Sequence, residues 1–303
     1  MAQQGILSPN FRATAKCISG KLPQRILRGL WLMCVLAILG SSSFAFAENA
    51  PEIKGRLALK SPKSGVPEFR VEPSSLRDGS VITLITPAKW SSIGGILVET
   101  LKTVHIEFTQ QLGDLIPINT SLRVLPETLF YQTTGAPSWT NALYYRGQVF
   151  IPLSEKSALD QGNLIRSARH EYVHAIINGL SAGKCPGWLD EGLAQSAEGP
   201  ENPALRPALV RYLKNSNPLP FSMLQGGFTR LETRSVAAAY AESLIATLAI
   251  KKTFGFQSIR SYLDNLRNGD DKQVAFKNAF GVSEAHFEGV MNQKLGDWAL
   301  QLE

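Results

Sequence analysis

His170-Glu171-Tyr172-Val173-His174, followed by Pro186-Gly187-Trp188-Leu189-Asp190-Glu191-Gly192-Leu193-Ala194, decides how this chain is read. On a helix, positions i and i+4 share one face about a turn apart. His170 and His174 can therefore aim imidazole nitrogens at a single ion, with Glu171 one step round the same edge. Glu191 is the candidate third ligand, carried by a second helix after a loop. Two histidines and one glutamate form an established set for a Zn2+ ion that keeps an open position for water.

The surroundings support the pattern. The chain has only four histidines, so two of them bracketing a glutamate at this spacing is a specific signal. Asp160-Gln161-Gly162-Asn163 predicts a helix start. Leu164, Ile165, Ala168, Tyr172, Val173, Ile176 and Ile177 form an apolar stripe at helical spacing, and Gly179 is the expected stop. The break Gly183-Lys184-Cys185-Pro186-Gly187 precedes a second helix opening near Trp188. The competing reading is an amphipathic helix with a merely solvated polar face, to which Arg166 and Arg169 would also belong. The acidic residue set in the otherwise apolar turn around Trp188 weighs against it.

These two motifs resemble those of the gluzincin zinc metallopeptidases, most closely the bacterial peptidase MA-like domains. Residues 186–194 match that family's second motif almost position for position. Ala239-Tyr240-Ala241-Glu242-Ser243 resembles its downstream Tyr-Ala-x-Ser helix, and Ala275-Phe276-Lys277-Asn278-Ala279-Phe280-Gly281 its Ala-Phe-x-x-Ala-Phe-Gly segment. The resemblance runs from about Ser121 to the C-terminus. It implies a peptide or protein substrate and an oxyanion-holding role for Tyr240. It also implies that the strand around Asn141 to Tyr145 pairs with extended substrate. A core aromatic is the alternative reading of Tyr240.

Residues 1–47 read as a signal peptide. Arg12, Lys16, Lys21, Arg25 and Arg28 form a basic segment, Gly29 to Gly40 an apolar one, and Ala45-Phe46-Ala47 a cleavage site. A periplasmic or secreted protein without a stable membrane span is expected, with an uncleaved membrane anchor as the alternative. Five of the 31 basic residues and none of the 25 acidic ones lie in this segment, so the remainder is near +1 rather than +6. The excess of positive charge therefore implies no nucleic-acid partner. Of the three cysteines, only Cys185 lies beyond it. An internal disulfide is excluded there, and a buried inert thiol is expected.

Residues 48–80, rich in Pro, Ser, Lys and Gly, read as a loosely ordered leader, and 81–303 as the peptidase MA-like domain. A strand is predicted at Val81–Ile85, a helix from Ser91 or Ser92 to about Gly113, and a strand at Ser121–Leu125. A hairpin is predicted around Arg146-Gly147. Helices follow from Asn202-Pro203 to about Asn215 and from Ser235 to Phe254. Gly255 and Gly281 are read as stops and Ser283 as an N-cap. His105 is read as a polar-face or satisfied core histidine. The fold class is α+β: a small mixed sheet packed on the helix carrying His170 to His174, then a helical C-terminal part.

Chemically, the pattern predicts a zinc-held water activated by Glu171 as general base, with hydrolysis of a peptide bond as the reaction. Gln195, one turn beyond Glu191, is the expected partner for the outer nitrogen of a ligand histidine. The alternative is a zinc-binding, non-catalytic envelope scaffold or partner-binding protein of the same fold. Such a site has no need of Glu171.

Overall fold

The computed structural model describes residues 68–138, 140–199 and 202–300. The expected signal peptide and the leader up to residue 67 lie outside the described residues. Phe69–Ser75, assigned to the leader by composition, is instead a strand, β1. Its side chains are mostly exposed, so the alternation of Phe69, Val71 and Pro73 with Arg70 and Glu72 buries no apolar face. Backbone pairing to its neighbour holds it, and an edge strand needs no apolar face for that.

That neighbour is β2 (Val81–Pro87), joined antiparallel, with β3 (Asn119–Pro126) parallel on its other side. The crossover between the two parallel strands is helix α1 (Ser91–Leu112), as parallel pairing requires. A short helix α2 (Glu127–Thr134) leads to β4 (Leu143–Tyr145) and β5 (Gln148–Leu153). The sheet order is β1-β2-β3-β5-β4, mixed, with β4 on the far edge. The β4–β5 turn has positive φ at both Arg146 (47°) and Gly147 (78°), the conformation of the tight hairpins that match strand twist.

Helix α3 (Gln161–Ser181) starts where expected, with the Asp160 side chain accepting from Asn163 N–H at 3.1 Å. It runs past Gly179, the expected stop, and ends at Ala182, which has a left-handed conformation. Gly179 serves a close approach instead. A methyl group there would come within 2.8 Å of Ile118 Cγ2.

Helix α4 (Gly187–Ser196) folds back on α3. Then come α5 (Leu205–Leu213), α6 (Thr233–Asn268), α7 (Lys272–Phe280) and α8 (Glu284–Leu300). Gly255, φ 77° and ψ 173°, breaks α6 where a stop is predicted. Ser283 Oγ caps α8 by accepting from His286 N–H at 3.1 Å. The architecture is thus a five-stranded mixed sheet beside a mostly helical remainder. Among the described residues no helix is long and apolar enough to cross a membrane.

One continuous core joins the sheet to the helices through Ile82, Leu122, Val149, Tyr172, Trp188 and Tyr262. Trp188 is fully buried, stacked on Phe221 with ring centroids 4.5 Å apart, and its indole N–H donates to Glu284 Oε1 at 3.0 Å. The tightest packing lies between α4 and α6. A Cβ added at Gly192 would overlap Thr247 Oγ1 and the Ser243 carbonyl oxygen. Glycine is therefore the residue that lets α4 sit this close to α6.

Gly192→Ala should accordingly destabilise the fold by about 1–3 kcal/mol, the usual cost of overpacking. Gly95→Ala, on an exposed face of α1 with no atom within 4 Å of the new methyl, should stabilise it by about 0.5–1 kcal/mol. Denaturant unfolding of the two variants beside the parent checks both signs.

Candidate metal centre

α3 and α4 supply the candidate ligands from their facing sides. His170 and His174 lie one turn apart on α3, and Glu191 on α4 faces them across the interface. All three are at most 2% exposed. Glu191 Oε2 lies 3.4 Å from His170 Nε2 and 3.8 Å from His174 Nε2, and the two imidazoles stand edge to face at 4.9 Å. The three donor atoms all fall within 4.8 Å of one another.

Neither Nε2 atom and neither Glu191 oxygen has a hydrogen-bond partner, although each is buried. Buried polar atoms without partners are costly, so three of them converging on one point call for a cation. Two imidazole nitrogens and one carboxylate oxygen fit zinc, and three protein ligands leave a position open.

A carboxylate lies beside the other nitrogen of each ring, hydrogen-bonded in the case of His170. His170 Nδ1 lies 2.8 Å from Glu198 Oε1, while Arg166 donates to the other Glu198 oxygen at 3.2 Å. His174 Nδ1 lies 3.0 Å from Asp190 Oδ1. Gln195, the expected partner, does not do this; its side-chain oxygen is buried without a partner among the described residues. The physical reason is position. Glu198, seven residues beyond Glu191, sits past the end of α4, where its side chain reaches back to His170 on α3. No short-range signal marks Glu198, because its reach to α3 depends on where α4 ends. Arg166 and Arg169 are not a solvated face either. Both are half-buried, Arg169 donating to the Ala197 carbonyl and to Glu107 at 2.6 Å, so they secure the chain at Glu198.

Glu171 is fully buried beside the ligands. Its Oε2 accepts the Tyr144 backbone N–H at 2.6 Å, whereas Oε1 has no partner. The sequence expectation offered this strand edge to substrate, but its N–H at Tyr144 is used to fix the glutamate. Burial raises the Glu171 pKa above the ordinary carboxylate value, against the pull of His170 and His174. Tyr240 on α6 is also buried. Burial pushes its phenol well up, and the charges of Glu191, Glu171 and Glu198 push it further. The structure thus brings His170, His174, Glu191 and Glu171 together, and places Tyr240 of α6 in the core against Phe228, with ring centroids 5.0 Å apart. His105 lies outside the group, in the core, between Tyr172 Oη at 3.1 Å and Asp78 Oδ2 at 2.8 Å.

A family model of the Peptidase MA superfamily matches residues 118–295. The chain belongs to this superfamily. Two solved structures of metallopeptidase chains are similar in outline. Aminopeptidase A of Legionella pneumophila, in complex with aspartic acid, has 15% identity and a TM-score of 0.48. Its likeness covers 74% of this chain and 28% of that one. An M1 zinc metallopeptidase of Deinococcus radiodurans, bound to a Tyr-Ser-Ala substrate, has 17% identity and a TM-score of 0.44, over 77% of this chain and 52% of that one. This peptidase MA chain therefore spans less than two thirds of either. No curated protein matches it.

In the metal-free state protons compete for the ligand nitrogens. Burial lowers the His174 pKa, but Asp190 and Glu191 outweigh this and hold it at about 9; His170 is raised as well, by Glu191 and Glu198 against burial. A histidine raised in this way stabilises the fold below its unfolded value near 6.5, and the contribution is lost as pH climbs through the folded value. Zinc needs both imidazoles deprotonated. The zinc-induced rise in melting temperature should therefore grow from pH 6 to pH 9, and a pH-independent rise would remove the imidazoles from the ligand set. Glu198→Gln should weaken zinc binding about 10–100-fold, read by competition with a chelating dye.

Proposed function

We propose that this protein is an exported zinc-dependent metallopeptidase that hydrolyses peptide bonds with Glu171 as general base. The observation that carries the reading is the pairing of three converging, partnerless ligand atoms with a buried glutamate held by a strand N–H. His170, His174 and Glu191 are the ligands in this reading. Zinc bound by them would supply Lewis acidity, making a water molecule acidic near neutral pH and polarising the scissile carbonyl.

The chain's own residues do the rest. Glu171 has one oxygen committed to Tyr144 N–H and the other open, so it takes the proton from water through Oε1 and passes it to the leaving amine. Its raised pKa suits both halves of that transfer, since a base poised nearer neutrality is also a usable acid. Asp190 and Glu198 hold the rings of His174 and His170 with Nε2 facing the ion. Tyr240 donates its hydroxyl to the oxygen on which negative charge develops. Water reaches this point from a cleft of about 410 Å³ lined by Tyr144, His174, Asp190 and Glu191 among others. A purely structural zinc site would use four protein ligands and would not bury a fifth, acidic group beside them.

Glu171→Gln should keep one equivalent of zinc and abolish hydrolysis, because the amide is isosteric but accepts no proton. Tyr240→Phe should lower kcat by about two to three orders of magnitude with KM and zinc content little changed. A core tyrosine would instead cost stability and leave kcat intact. Metal analysis and steady-state kinetics on the same preparations check both, and a zinc-loaded parent inert on every peptide of a random library would favour the scaffold role.

Export is proposed from the basic and apolar pattern of residues 1–47. N-terminal sequencing of the protein recovered outside the cytoplasm should give a start near Glu48; recovery in the cytoplasm with Met1 intact would overturn it.

A further inference from the structure

The cleft beside the candidate ligands has an uneven charge lining. Its negative groups are Asp190 and Glu191, and both are engaged: Asp190 lies 3.0 Å from His174 Nδ1, and Glu191 points at the ion position. Its positive groups are Arg146 and Lys272. Neither forms an ion pair among the described residues.

Arg146 occupies the first turn position of the β4–β5 hairpin with φ 47°. Asn, Asp or Gly adopts that conformation with less strain, so an arginine here carries a local backbone cost. Its guanidinium lies 5.2 Å from the Tyr145 ring centroid, and that ring also lines the cleft. Lys272, also in the lining, opens α7 with its ammonium 3.5 Å from Oε1 of Gln225, another lining residue. The neighbouring carboxylate, Asp271, caps α7, its Oδ1 accepting the N–H groups of Gln273 and Val274, and it forms no ion pair with Lys272. The half-buried Lys272 therefore offers its remaining donors to the cleft.

We propose that this cleft selects peptides bearing a carboxylate, which Lys272 and Arg146 receive, and disfavours a protonated amine at the same place. The inference rests on the peptide-binding reading above and adds the substrate class. Charge-assisted hydrogen bonds to a carboxylate are roughly twice as strong as neutral ones, and opposed charges across a cleft discriminate against the wrong partner. The carboxylate can belong to an acidic side chain or to the peptide C-terminus; the chemistry is shared, and the test separates the two.

The experiment measures binding, with the zinc-loaded Glu171→Gln protein and titration calorimetry. Four matched hexapeptide sets serve as probes: a neutral peptide blocked at both ends, the same with glutamate scanned through each position, the same with lysine scanned, and the neutral peptide with a free C-terminus. The expected result is about tenfold tighter binding of an anionic set than of the blocked neutral peptide, with the lysine set weakest. Preference for an internal glutamate assigns the side-chain source, and preference confined to the free C-terminus assigns the terminal one. Adding Lys272→Glu and Arg146→Glu should reverse the order in favour of lysine with zinc content unchanged, a reversal that a structural role would not produce. Binding of all sets within twofold, or of none, overturns the proposal. Failure of the parent to hydrolyse any of these peptides, with the binding order intact, would sink the peptidase reading and leave the anion selectivity standing.

Discussion

Helix α4 is ten residues long, too short to hold its own shape in water, and the whole site hangs on where it is pressed. Gly192 lets its backbone meet α6 at the Ser243 carbonyl and the Thr247 side chain. Gly187 does the same at the other end, where a Cβ would collide with the Gly226 carbonyl and come within 2.9 Å of that of Leu224. Between these two anchors lie Trp188, which fills the core, and Asp190 and Glu191, which face α3. The glycines are thus positional elements of the candidate metal centre, although neither belongs to its ligand set.

Charge imposes the second constraint. Glu171, Glu191 and Glu198 surround two buried imidazoles, with Asp190 at the edge of the group. Such a set of like charges is unfavourable in a low-dielectric interior unless cations compensate it. Without an ion, protons on His170 and His174 provide that compensation, which is why both histidines are raised against the effect of their own burial. A divalent ion does the same and also satisfies the partnerless atoms. One arrangement therefore explains the burial of the carboxylates, the basicity of the histidines and the affinity expected for metal.

The C-terminal helices reach the site through a loop. Residues 219–225 are fixed by three glutamates from two helices: Glu242 accepts from Leu219 N–H at 2.9 Å, Glu288 from Phe221 N–H at 2.8 Å, and Glu284 from the Gln225 side chain at 3.3 Å. Gln225 in turn receives the Gly187 N–H on its carbonyl at 2.9 Å and, with Gly226 and Gly227, lines the cleft. Glu242 is the most deeply placed of the three, and burial pushes its carboxyl up to about 8 despite the Leu219 bond. The loop beside the metal centre is consequently tied to α6 and α8 by side chains with no counterpart in the two motifs.

Local patterns were enough to pick out the three side chains that converge. The i, i+4 histidines, the glutamate between them, the helix start at Asp160, the hairpin at Arg146-Gly147 and the cap at Ser283 all depend on neighbours within a few residues. The sequence carried them, because helical spacing and turn conformation are short-range properties. What came from tertiary structure is everything decided by two elements meeting. Glu198 replaced Gln195 as the partner of His170 because α4 ends under α3. Gly179 proved to be a contact with Ile118 rather than a stop, and Phe69–Ser75 became a strand because β2 offered an open edge. The Tyr144 N–H went to Glu171 instead of remaining free. Each depends on a distance between segments far apart in the chain, and such a distance is set by packing, which no local pattern encodes.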